Sequence, residues 1–313
     1  MRVLITGCAG FIGYHLTEHY LRAGHDVVGI DNLASGSNRN IEALQAAYPQ
    51  FVYHTHDITT PISLPGPFNL VCNLACPASP IDFDPLRLEI LAVCSRGVWN
   101  LLDFARTHRA TLLHTSTSEV YGDPREHPQR ESYWGNVNPI GPRSCYDEGK
   151  RFAEALTTAY AARFGVPVRM ARIFNTYGPR MRANDGRALP NFINQALRNE
   201  PLTLHGDGSQ TRSFCYISDQ VEGLSRLAAS NVVGPVNIGN PVEITMTQLA
   251  KEVVELCNSR SEIRHAPRPG DDPSVRRPDI TRAQRELGWS PTVDRLTGLT
   301  RTIEWFREVA RAG

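Results

Sequence analysis

The sequence has no excess of charge of either sign, which argues against several kinds of partner. Its 33 lysines and arginines stand against 32 aspartates and glutamates, and the net charge is +1. Proteins that bind nucleic acid or an anionic membrane usually carry a basic patch or stripe. Long apolar runs are also missing, since a membrane-spanning helix needs roughly 20 apolar residues. We therefore expect no nucleic-acid partner and no membrane partner.

Cysteines are few and irregularly spaced, so no disulfide framework is indicated. The seven lie at positions 8, 72, 76, 94, 145, 215 and 257, and an odd, irregular set is typical of a reducing compartment. Cys72 and Cys76 could be half of a metal site, but no second Cys/His pair follows them, so we expect no metal. Met1 leads directly into an apolar strand without the pattern of a signal peptide. The expected location is the cytoplasm.

The remaining composition is that of an ordinary globular protein. The chain has 313 residues, 41% of them hydrophobic and 21% charged, and this length exceeds what one core usually serves. Apolar stretches alternate with amphipathic ones from residue 3 to residue 173, which predicts strands and helices in turn, including one long helix over 86–107. Such alternation is typical of an α/β doubly wound fold, a parallel sheet of the Rossmann type with helices on both faces.

A glycine-rich turn joins the first predicted strand to the first helix. It places Gly7, Gly10 and Gly13 in a G-x-x-G-x-x-G spacing, which lets the backbone turn tightly and approach a pyrophosphate at the helix N-terminus. A tight turn without a ligand would also use glycine, so the context decides. Asp31 ends the next strand, 18 residues after Gly13. An acid there accepts hydrogen bonds from ribose hydroxyls and repels a 2′-phosphate, which favours NAD over NADP.

The composition of the sequence changes after residue 175, where predicted loops rich in arginine, asparagine, aspartate and glycine begin. We predict an NAD-binding Rossmann domain at 1–175, with a return to the sheet near 213–240. The remainder of 176–313 would form a smaller C-terminal α/β substrate domain. In open sheets of this type the ligand lies at the carboxyl ends of the strands, and the site is expected there.

A tyrosine and a lysine one helical turn apart form the candidate catalytic pair. Tyr146 and Lys150 make a Tyr-x-x-x-Lys motif on one face of a predicted helix. Such a pair often arises by chance, but here a Ser-Thr-Ser-Glu run at 116–119 ends the preceding strand. A tyrosine with a pKa of about 10 is a poor base at neutral pH, and a nearby ammonium would stabilise its phenolate. Tyr146 would then take the proton of a sugar hydroxyl while Thr117 holds the oxygen.

Seven stretches give the chain a family resemblance. They read NLACPASP at 73–80, STSEVYGDP at 116–124, NPIGPRSCYDEGKR at 138–151, ARIFNTYGPRM at 171–181, DGR at 185–187, QTRSF at 210–214 and RRPDI at 276–280. Together they resemble the UDP-glucuronate decarboxylases (UDP-xylose synthases), a branch of the extended short-chain dehydrogenases/reductases. The resemblance covers nearly the whole chain.

The resemblance implies a carboxy-lyase with tightly bound NAD that works as a homodimer. C4 of a nucleotide-glucuronate such as UDP-glucuronate would be oxidised, carbon dioxide would leave the resulting β-keto acid, and C4 would be reduced again. The product would be a nucleotide-pentose such as UDP-xylose. Glu119 would polarise groups or relay protons around the sugar ring. The implied catalytic residues are Thr117, Ser118, Glu119, Tyr146 and Lys150.

Two further sets of residues complete the predicted site. The predicted cofactor contacts are Gly7, Gly10, Phe11, Ile12, Gly13, Asp31, Asn32, Asp57, Ile58, Leu74, Ala75, Tyr146, Lys150 and Thr176. A helix-capping role fits Asp57 nearly as well. The predicted substrate contacts are Asn175, Arg187, Asn191, Leu204, His205, Gln210, Arg212 and Arg276. Guanidinium groups bind phosphate or carboxylate oxygens in pairs, although each of these arginines could instead be a solvated surface residue.

Three alternatives remain open. A nucleotide-sugar 4,6-dehydratase must protonate a leaving hydroxyl, and that family places an Asp before the Glu, whereas this chain has Ser118. A 4-epimerase is a weaker alternative, because epimerases typically lack the Glu that stands here at position 119. A non-catalytic NAD-binding regulatory protein would not need Thr117, Tyr146 and Lys150 together.

One stretch departs from the resembled family. Residues 81–86 form a shorter segment than in relatives, and 88–96 has lost their polar positions, with Cys94 where an Asn is usual. This departure affects the loop expected to contact the substrate. The nucleotide base and the fate of the 4-keto intermediate stay open at this stage.

Overall fold

The computed structural model of the protein describes residues 1–268 and 270–312. Within them the strands are, in chain order, β1 (Arg2–Thr6), β2 (Asp26–Asp31), β3 (Val52–Thr55), β4 (Leu70–Asn73), β5 (Thr111–Thr117), β6 (Val168–Ile173), β7 (Thr176–Tyr177), β8 (Leu202–His205), β9 (Thr211–Ser213), β10 (Cys215–Tyr216), β11 (Pro235–Ile238), β12 (Glu243–Thr245) and β13 (Ile263–Ala266). The helices are α1 (Phe11–Arg22), α2 (Asn38–Ala47), α3 (Arg87–Ala92), α4 (Val98–His108), α5 (Ser144–Phe164), α6 (Ala188–Leu197), α7 (Ile217–Ala229), α8 (Met246–Cys257), α9 (Thr281–Leu287) and α10 (Arg295–Ala312).

Seven strands form one sheet, in the order β11-β6-β5-β4-β1-β2-β3, and all neighbours pair in parallel. Parallel strands need helical crossovers, which cover both faces of a sheet and leave its strands almost wholly apolar. The predicted doubly wound α/β fold is confirmed. The last strand to join, β11, comes from far along the chain and pairs with β6 from Pro235 opposite Met170 to Ile238 opposite Ile173.

The two faces of the sheet carry separate apolar cores, because side chains alternate along a strand. Val3 and Ile5 of β1 point into a core shared with α1 and α7, and this core continues into the second half of the chain. Leu4 points into the opposite core, which packs against α4 and α5. The helix that carries the candidate catalytic pair is therefore fixed directly on the sheet.

The second half of the chain adds small paired strands around the open end of the sheet. Parallel β8 and β13, antiparallel β9 and β12, and parallel β7 and β10 each form a two-stranded sheet. Helices α6 and α8 pack against each other beside them. The division of the chain at residue 175 into two domains stays a prediction. Within the described residues, no helix combines the length and the apolar character needed to cross a bilayer.

The helix predicted over 86–107 is interrupted. A π-helical turn, Val93–Gly97, separates α3 from α4. The hydroxyl of Ser95 donates to the carbonyl oxygen of Leu91 at 2.6 Å, and a side chain that occupies a helix carbonyl disturbs the regular backbone ladder. At Gly97 a Cβ would lie 2.8 Å from Ile58 Cδ1, so glycine permits the close approach of this turn to the loop after β3.

Candidate active site

A cavity of about 990 Å³ opens at the carboxyl ends of the sheet strands. Its wall combines the glycine turn after β1, the ends of β4, β5 and β6, the start of α5 and loops from the second half of the chain. This volume suits a ligand with several rings. The predicted site residues that line it are Gly7, Gly10, Phe11, Ile12, Gly13, Leu74, Thr117, Ser118, Glu119, Tyr146, Lys150, Asn175, Thr176, Arg187, Asn191, Leu204, His205, Gln210, Arg212 and Arg276.

The glycine turn is packed so closely that side chains are excluded at two positions. Gly7 has a φ of +73°, and a Cβ there would lie 2.7 Å from backbone atoms of Leu74 and Ala75. At Gly13 a Cβ would lie 1.9 Å from the carbonyl oxygen of Gly7. The turn thus joins β1, the segment after β4 and the first turn of α1 without side chains between them. The first N–H groups of α1 have no partners within the helix and are available to a phosphate.

Asp31, at the end of β2, is held next to this turn by backbone donors. Its Oδ2 accepts a hydrogen bond from the Ala9 N–H at 3.0 Å, and its Oδ1 accepts one from the Leu33 N–H at 2.8 Å. Gly36 lines the cavity, and a Cβ there would lie 3.1 Å from Asp31 Oδ1. The glycine turn, the free end of α1 and an acid at this edge fit the pyrophosphate and the adenosine ribose of NAD.

Four predicted cofactor contacts and Asp31 itself lie outside the cavity wall. Asn32 donates through Nδ2 to Asp57 Oδ2 at 3.2 Å, at the rim beyond β2 and β3. Ile58 is 4% exposed and packs against Gly97. The backbone N–H of Ala75 donates to the Thr6 hydroxyl at 3.3 Å. Their roles in binding the cofactor stay predictions.

Tyr146 and Lys150 lie in the first two turns of α5, and both are buried. Lys150 Nζ donates to the carbonyl oxygen of Thr115 at 3.0 Å and lies 5.8 Å from the centroid of the Tyr146 ring. Phe83 stacks on that ring, with centroids 5.0 Å apart and planes inclined by 17°. Packing and a backbone hydrogen bond therefore set the positions of the phenol and the ammonium before any ligand binds.

The electrostatic surroundings keep Lys150 positively charged and keep the phenol of Tyr146 protonated. Burial raises the pKa of Tyr146 to about 12, although Lys150 and the Thr117 hydroxyl act in the opposite direction. Burial alone would lower the pKa of Lys150, but Cys76 and Tyr146 shift it upward, and the net pKa is raised. Lys150 is thus charged at every physiological pH. Tyr146 needs further positive charge beside it to act as a base near neutrality.

Glu119 follows β5 and binds two arginines. Arg143 Nη2 and Arg276 Nη2 each donate to Glu119 Oε2 at 2.8 Å, and Arg276 Nη1 donates to Oε1. Burial raises the pKa of Glu119, but Arg276 and Arg143 outweigh that effect and lower the pKa to about 2. The carboxylate is an ionised acceptor in this arrangement. The proton-relay role predicted for it stays a prediction, and these two ion pairs oppose it.

The other two predicted substrate arginines are also held by acids. Arg212 is 7% exposed, and its Nη2 lies 2.9 Å from Asp272 Oδ2. Arg187 Nε lies 3.2 Å from Asp185 Oδ1, and its Nη2 donates to the carbonyl oxygen of Ala78 at 2.8 Å. Both guanidinium groups therefore have fixed directions on the cavity wall, which reduces the entropy lost when they bind an anion.

Sequence reasoning missed three residues that shape this site. Arg143 lies within the 138–151 motif but was given no role, although it precedes Tyr146 by about one helical turn. Asp147 is 6% exposed, and its pKa is raised to about 7, mainly by burial and also by the negative charge of Glu119. Phe83 lies in the shortened segment, where no motif pointed to it. The aromatic Phe83 between the two aspartates Asp82 and Asp84 was the available signal.

The chain is similar to known proteins in both sequence and structure. The family whose sequence model matches residues 4–302 is described as GDP-mannose 4,6 dehydratase. UDP-glucuronic acid decarboxylase 3 of Arabidopsis thaliana is 50% identical over 308 residues, 98% of this chain and 89% of that protein. UDP-glucuronic acid decarboxylase 1 of Danio rerio is 49% identical over 305 residues, 97% and 72% of the two chains. The solved UDP-glucuronic acid 4-epimerase from Bacillus cereus, in complex with UDP-glucuronic acid and NAD, matches with a TM-score of 0.86 and 27% identity over 99% of this chain and 100% of that one.

Proposed function

We propose that this chain is an NAD-dependent carboxy-lyase acting on UDP-glucuronate, because it belongs to the family of UDP-glucuronic acid decarboxylases. The products are carbon dioxide and a UDP-pentose such as UDP-xylose. The observation that carries the proposal is the position of Tyr146, Lys150 and Thr117 on one cavity wall, in a chain 50% identical to a decarboxylase along nearly its whole length.

NAD, when bound, supplies a hydride acceptor for C4 of the sugar and a positive charge beside the phenol of Tyr146. The backbone of Gly7, Gly10 and Gly13 holds its pyrophosphate at the N-terminus of α1. Asp31 would bind the adenosine ribose, and Lys150 would bind the ribose of the nicotinamide half. These assignments rest on the packed glycine turn and on the acid at the end of β2.

Tyr146 takes the proton of the C4 hydroxyl as that carbon is oxidised. Its raised pKa means that Lys150 must stabilise the phenolate, and the hydrogen bond to Thr115 keeps the ammonium in place for this. Thr117 orients the same sugar oxygen. Its Oγ1 accepts a hydrogen bond from the Glu119 N–H at 3.2 Å, which orients the hydroxyl so that its O–H can be donated to the phenol oxygen or to the sugar.

Loss of carbon dioxide then needs no acid from the protein. The C6 carboxylate is β to the new C4 carbonyl, so the electron pair of the breaking C5–C6 bond moves toward the C4 oxygen as an enolate. Tyr146, now protonated, and Thr117 donate hydrogen bonds to that oxygen and stabilise its charge. A dehydratase would need an acid for its leaving hydroxyl, and Ser118 is not one. C5 takes up one proton from water in place of the lost carboxylate, and Tyr146 gives its proton back to the C4 oxygen as C4 is reduced.

The substrate's diphosphate and carboxylate require cations on the wall. Arg187, Arg212 and Arg276 supply them, and each is held in direction by an acidic partner. Glu119 keeps Arg276 and Arg143 together, so these three side chains form a compact group with a net charge of +1 on the cavity wall.

The direct test is to incubate the protein with UDP-glucuronate and to measure the mass of the product by mass spectrometry. We expect the loss of one carbon dioxide without net NADH. Tyr146→Phe should keep its NAD and form no product, because it lacks the hydroxyl that moves the proton. An isomer of unchanged mass would indicate a 4-epimerase, and dehydration of UDP- or dTDP-glucose would indicate a 4,6-dehydratase. Loss of carbon dioxide with two further hydrogens and accumulation of NADH would mean that the 4-keto sugar is released.

We also propose that the chain forms a homodimer through α3, α4 and α5. Their outer sides expose large apolar side chains, including Leu88 (76% exposed), Trp99 (51%) and Phe152 (52%). Trp99 contacts Tyr160 edge to face across α4 and α5, and α3 also packs against α5, so the three helices lie side by side. Large apolar surfaces usually mark an interface. Trp99→Asp should convert a dimer to a monomer in light scattering, and a wild-type monomer would contradict the proposal.

The cytoplasm is our proposed location. All seven cysteines, each within the described residues, are free thiols, which suits a reducing compartment. A fluorescent fusion that accumulates in an oxidising compartment would contradict this location.

A further inference from the structure

Two thiols meet at the wall of the active-site cavity. Cys76 follows β4 and lines the cavity, whereas Cys94 lies buried in the π-helical turn between α3 and α4. Their sulfur atoms are 3.8 Å apart. Within residues 1–268 and 270–312 no three potential ligands from His, Cys, Asp and Glu form a metal-binding group. At 3.8 Å the two sulfurs need only a small movement to react with each other.

Cys76 also has the electrostatic surroundings of a reactive cysteine. The hydrogen bond with Cys94 and the ammonium of Lys150 lower the pKa of the Cys76 thiol to about 7, although burial opposes them. The hydrogen bond with Cys76, and then burial, raise the pKa of Cys94. Near neutral pH, Cys76 is thus partly thiolate, the form that reacts with peroxides, and Cys94 is the protonated partner next to it. Two further titratable groups interact electrostatically with the pair, Tyr146 with Cys76 and Cys145 with Cys94.

The pair contacts the helix that carries both catalytic residues. A Cβ at Gly149 would lie 3.3 Å from both Cβ and Sγ of Cys94, so Cys94 packs directly on α5 at that position. Gly149 lies between Tyr146 and Lys150 in the sequence. Cys76 in turn contributes to the raised pKa of Lys150. A bond that pulls the two sulfurs together therefore acts on the helix of the catalytic phenol and ammonium.

We propose that Cys76 and Cys94 are a peroxide-oxidisable pair whose disulfide switches off this active site. A disulfide bond is about 2.05 Å long, so the two sulfurs would have to approach by ~1.7 Å. The pair depends on Cys94, which the π-helical turn between α3 and α4 presents to Cys76. The loss of activity rests on the proposed decarboxylase function, whereas formation of the bond does not.

The oxidation balances with hydrogen peroxide as the oxidant. The Cys76 thiolate attacks one peroxide oxygen, the O–O bond breaks, and hydroxide leaves and takes a proton to become water; Cys76 becomes a sulfenic acid. The sulfur of Cys94 then attacks that of Cys76, the S–O bond breaks, and a second water leaves with the Cys94 proton. Two thiols and one peroxide thus give one disulfide and two waters, and a dithiol reverses the reaction.

The disulfide should disturb catalysis through position and through charge. Closing the gap draws Cys94 away from its contact with Gly149, which alters the packing of α5 beneath Tyr146. It also removes the thiolate that stabilises the ammonium of Lys150. We expect kcat to fall about tenfold or more, with little effect on bound NAD.

The test uses the NAD-bound enzyme treated with hydrogen peroxide, then with iodoacetamide and trypsin. Cleavage after Arg39, Arg87 and Arg96 predicts a disulfide-linked pair of peptides, 40–87 and 88–96. Fragmentation distinguishes Cys76 from Cys72 in the longer peptide. Decarboxylation of UDP-glucuronate is measured before oxidation, after oxidation and after dithiothreitol. Cys94→Ser is the test variant, and Cys257→Ser removes a remote thiol of α8 as the matched control.

We expect the linked peptides in the wild type, a loss of activity of about tenfold that dithiothreitol restores, and a Cys94→Ser variant that keeps its activity through peroxide. The control should behave as the wild type does. Absence of the linked peptides from inactivated enzyme, or equal inactivation of Cys94→Ser, would overturn the proposal. Cys94→Asn provides a second variant should serine disturb folding. An inactive wild type that still forms the bond would refute the proposed function and leave the thiol chemistry standing.

Discussion

Replacing Lys150 with methionine tests how the phenol of Tyr146 becomes a base. Lys150 Nζ lies 5.8 Å from the centroid of the Tyr146 ring. At an effective dielectric constant of about 20, unit charges separated by about 6 Å interact by ~3 kcal/mol. That energy changes the proportion of phenolate ~100-fold and corresponds to ~2 pH units. Lys150→Met should therefore lower kcat ~100-fold near neutral pH, because less of Tyr146 is ionised.

The sign of the pH dependence makes this prediction specific. Activity that needs the phenolate rises with pH, and removal of a neighbouring cation raises the pKa of the phenol, so the rising limb of kcat should move to higher pH by ~2 units. The assay is kcat for UDP-glucuronate as a function of pH. Lys251→Met is the matched control, because Lys251 is the only other lysine of the chain and lies exposed on α8. The loss should shrink at pH values where the wild-type kcat has levelled off, because the variant is still gaining phenolate there; a loss that stays equally large at those pH values would refute the electrostatic role.

Three further predictions follow from contacts in the site. Gly13→Ala should abolish NAD retention, measured as cofactor released on denaturation, because its Cβ would lie 1.9 Å from the Gly7 carbonyl oxygen; Gly270→Ala, where a Cβ meets nothing within 4 Å, should retain NAD. Phe83→Leu should lower kcat more than KM, because it removes the ring stacked on Tyr146, and an unchanged kcat would refute this role. Asp147 has a folded pKa of about 7, above its unfolded value, so its stabilising contribution is lost as pH rises from about 4 to 7. Asp147→Asn should then gain ~1–3 kcal/mol over the wild type at high pH and less at low pH, and thermal melts with no such trend would contradict it.

The parts of the site that were predictable from the sequence are local. The spacing of Gly7, Gly10 and Gly13 belongs to one turn, and Tyr146 and Lys150 belong to one helix, so the chemistry of each motif follows from a single element. The alternation of strands and helices is equally local, and the parallel sheet that it predicted is confirmed. The family resemblance is also confirmed, because its motifs are long and extend over most of the chain.

The ion pairs of the site were not predictable, because their partners come from distant segments. Glu119 and Arg276 are 157 residues apart in the sequence, and Arg143 is 24 residues from Glu119. Nothing in the local pattern around Arg276 distinguishes a residue that binds an internal carboxylate from one that waits for a substrate. The fold decides, because it brings the loop after β13 over the end of β5.

The contact between cysteines was also not predictable from their spacing in the sequence. The sequence draws attention to Cys72 and Cys76, which lie four positions apart. Cys72 is instead fully buried in β4, whereas the sulfur next to Cys76 is that of Cys94, 18 residues away. The π-helical turn that presents Cys94 interrupts a helix that periodicity predicted to be continuous. Helical periodicity does not reveal one additional residue in a turn.

The central claim is that this site removes the C6 carboxylate of UDP-glucuronate after Tyr146 has allowed oxidation at C4. The most direct measurement uses substrate labelled with carbon-13 at C6 and follows labelled carbon dioxide together with the nucleotide product. We expect one labelled carbon dioxide for each UDP-pentose from the wild type, and none from Tyr146→Phe. Label that stays in the sugar while the wild type turns substrate over, or its release by Tyr146→Phe at the wild-type rate, would contradict the account.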